Sequence, residues 1–222
     1  MCGRYGLGRP EKLDWERFGI SEPPPLEPRF NITPASDIPV LRERRGERRL
    51  DLVVWGFIPV WAKDPTIGRG LANARAESAH LKPAFRDSLG ARRCLVPADV
   101  FYEWQARPGV RARQPFAVRN RDGAPFTMAG VWDRWRSPDE RWVISCAILT
   151  TDANAMMAPI HDRMPVIVDE ANWGRWLSPE TSLGEVRSLL RPCPDDVMEG
   201  YAVSTWVNSP DHDDERCIEP PA

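Results

Sequence analysis

The chain has 222 residues, 42% of them hydrophobic, with ten tryptophans, 23 prolines and 15 glycines; that is enough apolar matter for one sizeable core, and the prolines and glycines favour turns over long helices. No apolar run approaches the roughly 18 residues of a membrane span and no leader pattern opens the chain, so one domain over residues 1–222 is expected, cytoplasmic, monomeric by default and away from membranes. Five scattered cysteines (Cys2, Cys94, Cys146, Cys193, Cys217) without a CxxC pair argue against a disulfide framework and a zinc site, and no metal or cofactor is expected.

Net charge is -2, unevenly spread: from Asp195 onward eight acids face Arg216 alone, which leaves the first 194 residues at +5. Only Lys12, Lys63 and Lys82 of the 30 basic residues are lysines. Arginine's planar fork suits phosphate, although a coding bias toward arginine would give the same composition.

In chain order, MCGRYG opens the sequence and PEKLDWERF follows with a helical pattern. RRLDLVVWGF reads as a strand after the RRGERR turn, and PVWAKDP as a loop. ARAESAHLKPAF reads as a helix disturbed near its end by Pro83. RCLVPADVFYEW, PFAVRN, PFTMAGVW, RWVISCAILT, MPVIVD and GYAVSTWV read as strands, with RDG as a turn. DEANWGRWL, opening at Asp169, and SLGEVRSLLR read as short helices. Without repeats or βαβ alternation, the expected fold is α+β: a strongly bent or partly closed antiparallel β-sheet or barrel flanked by short helices. The acidic tail from about residue 209, DHDDERCIEPPA, is expected at the surface.

Five stretches could carry chemistry. Cysteine at position two is small enough for an aminopeptidase to remove Met1, which would leave Cys2 with an α-amine beside a thiol. With an aldehyde, the amine forms a Schiff base and the tethered thiol closes a thiazolidine, at an effective molarity on the order of 10⁵ M. A cysteine standing there by accident of translation start is the plainer alternative. In NARAES, Asn73, Arg75 and Glu77 share one face if the segment is extended; alternatively Asn73 caps a helix and the other two form a solvated pair. Glu103, between Tyr102 and Trp104, is either a desolvated proton carrier or an outward residue of an alternating strand. His161 and Arg163 stand just before the apolar MPVIV run, a position that often supports a functional side chain, whereas His80 and His212 have no such setting. Trp55 reads as core and Trp61 as an exposed stacking face.

In this order, MCGRYG, NITPAS, WGFIPVWAK, NARAES, RCLVPADVFYEW, TTDAN, IHDRMPVIV and VSTWVNSPDHDD resemble the SOS-response-associated peptidase family, the abasic-site DNA crosslinking proteins, over nearly the whole chain. The resemblance implies a single domain that senses abasic sites in single-stranded DNA and forms a thiazolidine crosslink through Cys2. It further implies that Asn73 holds the sugar and the N-terminal residue, Glu103 shuttles protons, and His161 acts on ring opening and reversal. Arg4, Arg75 and Arg163 match phosphate-gripping positions, and Trp61 a loop that stacks beside the lesion. Where many members have a second tryptophan, this chain has Val60.

Two other readings share these residues. Glutamine amidotransferases with an N-terminal nucleophile also begin Met-Cys-Gly, but their further segments are missing here. A non-covalent single-strand binder would use the same arginines and tryptophan, and Cys2→Ala separates it from the crosslinker.

Overall fold

Strands dominate because β-branched and aromatic residues are concentrated between turn residues. The computed structural model describes residues 2–44 and 46–221, so Met1 and Arg45 of the expected turn lie outside the described residues. Among these, twelve strands run in order: β1 (Tyr5–Leu7), β2 (Arg29–Ile32), β3 (Asp37–Arg44), β4 (Glu47–Trp55), β5 (Asn73–Arg75), β6 (Arg93–Ala98), β7 (Val100–Arg107), β8 (Val110–Asn120), β9 (Phe126–Arg136), β10 (Trp142–Asp152), β11 (Arg163–Pro165) and β12 (Met198–Ala202).

Strands β10, β4, β3, β6 and β9 pair in that order, and β9 pairs back onto β10, closing a five-stranded barrel. Closure removes exposed edges. The expected α+β fold with a closed, mainly antiparallel barrel is what forms; within it the closing β4–β10 contact and the pairing of β5 with β10 are parallel, joining strands that long stretches of chain separate. Ile38, Val40, Val53, Cys94, Val96, Met128 and Ile148 fill one core cluster that lines the lumen. Gly130 leaves room in it: a Cβ there would stand 2.8 Å from Cys94 Sγ.

β5 and β11 both add to β10, and the other five strands form an open sheet in the order β12-β8-β7-β1-β2. Tyr5, Phe101 and Val118 of this sheet join the lumen cluster, so one face stops one end of the barrel. On its other face Phe30, Val100, Tyr102 and Ala117 pack against Val203, Val207 and Cys217. RCLVPADVFYEW is therefore two strands in two sheets, with the chain passing from barrel to sheet at Asp99, whose carboxylate accepts from the Arg9 amide (2.8 Å).

Short helices cover the outside of the barrel. PEKLDWERF splits into a 3₁₀ turn at Pro10–Lys12 and α1 (Trp15–Phe18), because Leu13 is extended and Asp14 caps a new start by accepting from the Arg17 amide (3.1 Å). ARAESAHLKPAF loses its first turn to β5 and keeps α2 (Ala76–Ala79); α3 (Arg86–Ala91) follows unforeseen. Asp169 caps the turn leading into α4 (Trp173–Leu177), and Ser182 and Glu185 form a reciprocal capping box at α5 (Leu183–Leu189). No helix among the described residues is long and apolar enough to cross a membrane.

Candidate functional site

β1 delivers Cys2 to the seam between sheet and barrel. Tyr5 pairs antiparallel with Phe101, and the Tyr102 amide donates to the Arg4 carbonyl (2.9 Å). Continued by two residues, that register sets Gly3 opposite Glu103, with Cys2 the next residue along and within reach of the Glu103 charge. Cys2 is fully buried, and burial, followed by the Glu103 charge, pushes its thiol far above the ordinary value, so it is held as S–H. From the barrel side, β5 places Asn73 opposite Ile148, and Asn73 Nδ2 donates to the Cys2 carbonyl (2.8 Å). Asn73 Oδ1 is buried without a partner among the described residues, an acceptor aimed at the same neighbourhood. Asn73 does not cap the following helix, which begins after Arg75 without a side-chain cap.

Alternation along β7 sends Glu103 to the face that stops the barrel and Tyr102 to the opposite one. Both faces are covered, so Glu103 is only 3% exposed; of the two alternatives, the desolvated carboxyl is the one that forms and the outward residue is not. Burial pushes its carboxyl up to about 7. His161 Nε2 stands 3.7 Å from Glu103 Oε2, beyond hydrogen-bond range but of the kind that tightens when substrate arrives. The Arg163 amide donates to His161 Nδ1 (3.0 Å), which leaves the proton of the neutral ring on Nε2, facing Glu103. Burial lowers the imidazole pKa although Asp162 Oδ1, 3.0 Å from Nδ1, opposes the shift. The site thus joins a protonated thiol, a carboxyl titrating near neutrality and a neutral imidazole.

The cations differ in how free they are. Arg75 is exposed at the end of β5. Arg4 is half-buried: Nη1 donates to Asn31 Oδ1 (2.7 Å) and the Val207 carbonyl (2.8 Å), and its guanidinium carbon lies 5.6 Å from the Trp104 ring centre. Arg163 is 8% exposed, with its two Nη atoms on the Glu77 carboxylate (2.9 Å each), Nη1 on Asp152 and Nη2 on the Thr150 carbonyl. Neither alternative for this segment holds in full: Asn73 and Arg75 share the extended β5, but the chain turns helical at Ala76, the alternation ends, and Glu77 meets Arg163 instead of Arg75. Trp61 is 56% exposed on a loop pinned from both sides, where the Val60 amide donates to Asp133 (3.1 Å) and Trp135 Nε1 to the Ala62 carbonyl (2.6 Å). Val60 is equally exposed beside it. Trp55 is core, its Nε1 on the Ala72 carbonyl (2.8 Å).

Asn31 and the tail escaped the sequence reading. Asn31 Nδ2 donates to the carbonyls of Val207, Ser209 and His212, while Asp213 accepts from the Phe30 and Asn31 amides and pairs with Arg29. The tail is therefore not simply surface: it clamps β2, buries Cys217 and fixes the donor side of Arg4. His212 stacks on Trp206, ring centres 3.4 Å apart. No cluster of three potential metal ligands occurs among the described residues.

The family model of the SOS response associated peptidase (SRAP) family matches residues 1–210. The chain is 39% identical over 223 residues to the abasic site processing protein YoqW of Bacillus subtilis, covering 99% of each. It is 30% identical to the abasic site processing protein HMCES of Rattus norvegicus, covering 96% of this chain and 69% of that one. A crystal structure of a protein from Bacteroides thetaiotaomicron superposes with a TM-score of 0.88 over the whole of both chains at 25% identity.

Proposed function

The chain belongs to the SOS response associated peptidase family, and from that premise we propose that it recognises an abasic site in single-stranded DNA and joins it covalently through Cys2. Abasic-site processing is what the names of the Bacillus and rat relatives record, and the chemistry is argued from this chain's own residues. The observation that carries the proposal is the convergence of Cys2, Asn73, Glu103 and His161 from four separate segments on one buried seam.

The reacting form is the chain without Met1, whose removal hydrolyses one peptide bond with one water. The ring-opened deoxyribose presents an aldehyde at C1′. The Cys2 amine attacks it and the resulting carbinolamine loses water to give a Schiff base. The thiol then adds to the same carbon, and its proton ends on the ring nitrogen. One water is released overall. A buried S–H is a poor nucleophile until its proton is taken, and Glu103, titrating near 7, can accept that proton and return it. His161, neutral with its proton on Nε2, is placed to protonate or deprotonate the sugar oxygen during ring opening and reversal. Asn73 holds the Cys2 carbonyl and offers Oδ1 to the amine or to a sugar hydroxyl.

Arg4 and Arg75 supply phosphate contacts, and Arg163 joins them by exchanging Asp152, whose side chain is 79% exposed, for a phosphate. Trp61 stacks on a base beside the lesion. Contacts of this kind position the strand without reading sequence. The test is a denaturing gel with a single-stranded oligonucleotide carrying one uracil, before and after base excision, with wild type and Cys2→Ala. A resistant band that needs both the excised base and Cys2 supports the proposal. Binding without a band in either protein favours the non-covalent binder.

A further inference from the structure

Beyond Glu103, β7 and β8 continue as a two-stranded arm. Residues 106–113 are exposed throughout, and the tip turns at Gly109, whose φ of +74° suits glycine. From Trp104 to Arg121 the arm and its root carry Arg107, Arg111, Arg113, Arg119 and Arg121 and no acidic residue. Arg119 is neutralised by Glu199 (2.9 Å). Arg107, Arg111 and Arg113 have no carboxylate partner among the described residues; Arg107 only donates to Gln114 Oε1 (2.8 Å). Exposed arginines such as Arg17, Arg136, Arg141 and Arg216 sit on carboxylates, and Arg75, among the described residues, does not; what marks the arm is that three such cations fall close together on one exposed hairpin.

The arm is also joined to the site. Glu103 lies at its base, and Gln105 Nε2 donates to the Pro159 carbonyl (2.8 Å), tying it to the loop that holds His161. Burial dominates the titration of Glu103 and His161, but the Arg113 charge reaches both.

We infer that the Arg107–Arg113 arm is a phosphate-binding extension of the site that grips the DNA backbone a few nucleotides from the lesion. The inference rests on the proposed abasic-DNA reading and adds to it a longer footprint on the strand. Four or five residue pairs of hairpin reach roughly 15 Å, the span of two or three nucleotides. Protein electrostatics favour a polyanion here over a single small anion, because the three guanidinium groups are spread along the arm instead of converging on one point.

The test measures the salt dependence of affinity for abasic oligonucleotides of about 5 and about 15 nucleotides, together with the denaturing-gel crosslink of the wild type. Arg111→Ala/Arg113→Ala should flatten the log–log salt slope on the longer strand by about 1.4, at about 0.7 per lost contact. It should weaken Kd roughly tenfold at moderate salt and erase most of the gain from lengthening the strand. Arg111→Lys/Arg113→Lys, which keeps the charge, should retain the slope, and unchanged thermal melting of both variants establishes that they fold. If the wild type binds and crosslinks while the alanine variant keeps its slope and length dependence, the arm inference is overturned and the abasic-site reading stands. Loss of slope in the lysine variant as large as in the alanine variant also overturns it. A wild type that neither binds nor crosslinks overturns both.

Discussion

The two ends of the barrel each place a carboxylate on a strand and answer it differently. At the end away from the sheet, Asp51 of β4 receives Nε (2.9 Å) and Nη2 of Arg42 from β3, and the Arg42 guanidinium lies 4.2 Å from the Trp132 ring centre. There a guanidinium and a carboxylate from neighbouring strands meet directly, as a structural pair. At the sheet end, Glu103 is buried opposite a neutral imidazole 3.7 Å away. Burial raises its carboxyl to about 7, so its proton can come and go near neutrality, which is what a shuttle needs.

The largest way to break the comparison is to remove the group that Glu103 serves. Cys2→Ala should abolish the denaturation-resistant adduct while leaving the Arg42–Asp51 end, and hence thermal melting, nearly untouched. Next is Glu103→Gln, expected to slow adduct formation at saturating DNA by about 10²- to 10⁴-fold, the usual worth of a general acid–base group. The same variant has a stability signature. The folded pKa of about 7 lies above the ordinary 4.5, so the folded state binds the proton more tightly. The associated stability is fully present below the unfolded value and is lost as pH rises through about 7. Glu103→Gln should therefore melt at nearly the wild-type temperature near pH 5 and above it near pH 8, a difference that paired melting curves would read.

Arg42→Ala tests the opposite end. It strands Asp51, a third of which is exposed, so the loss should be about 1–3 kcal/mol, less than for a fully buried pair. Denaturant unfolding would measure that loss, and the crosslinking rate of the folded protein should not change. The smallest effect belongs to the tail: Asp213→Ala frees the Phe30 and Asn31 amides. We expect a loss of about 1–2 kcal/mol and a several-fold weaker Kd for single-stranded DNA, because Arg4 loses the brace of Asn31 and Val207.

What was legible in the sequence follows the range of the interactions. Ser182 and Glu185, or Asp169 and Asn172, cap helices within three residues, and local chemistry declares such features. The barrel strands were readable as strands from β-branched runs, but β1, β2 and β3 were not singled out: β1 and β2 are only three and four residues long, and Pro39 interrupts the expected alternation in β3. Closure through the parallel β4–β10 contact joins residues about 90 positions apart, for which a single sequence carries no sign. The site divides in the same way. Cys2 stood out by position, although an accident of translation start was the plainer reading of position alone, and Glu103 was suspected from its apolar neighbours. That Glu103 is buried required knowing that the sheet is covered on both faces. Asn31 could not be assigned a role, since its partners Val207, Ser209 and His212 lie more than 170 residues away. Arg163 and Glu77 meet across 86 residues, so the seemingly natural neighbour Arg75 proved the wrong partner.

The central claim is that both the amine and the thiol of Cys2 end on one sugar carbon. Tandem mass spectrometry of the trypsin-digested adduct, after alkylation of free thiols, tests it most directly, because cleavage after Arg4 isolates the Cys2–Arg4 peptide. The account predicts that peptide without Met1, carrying the sugar fragment with the loss of one water, and with no alkylated sulfur. A sugar attached elsewhere, a peptide still carrying Met1, or an alkylated Cys2 thiol within the adduct would contradict it.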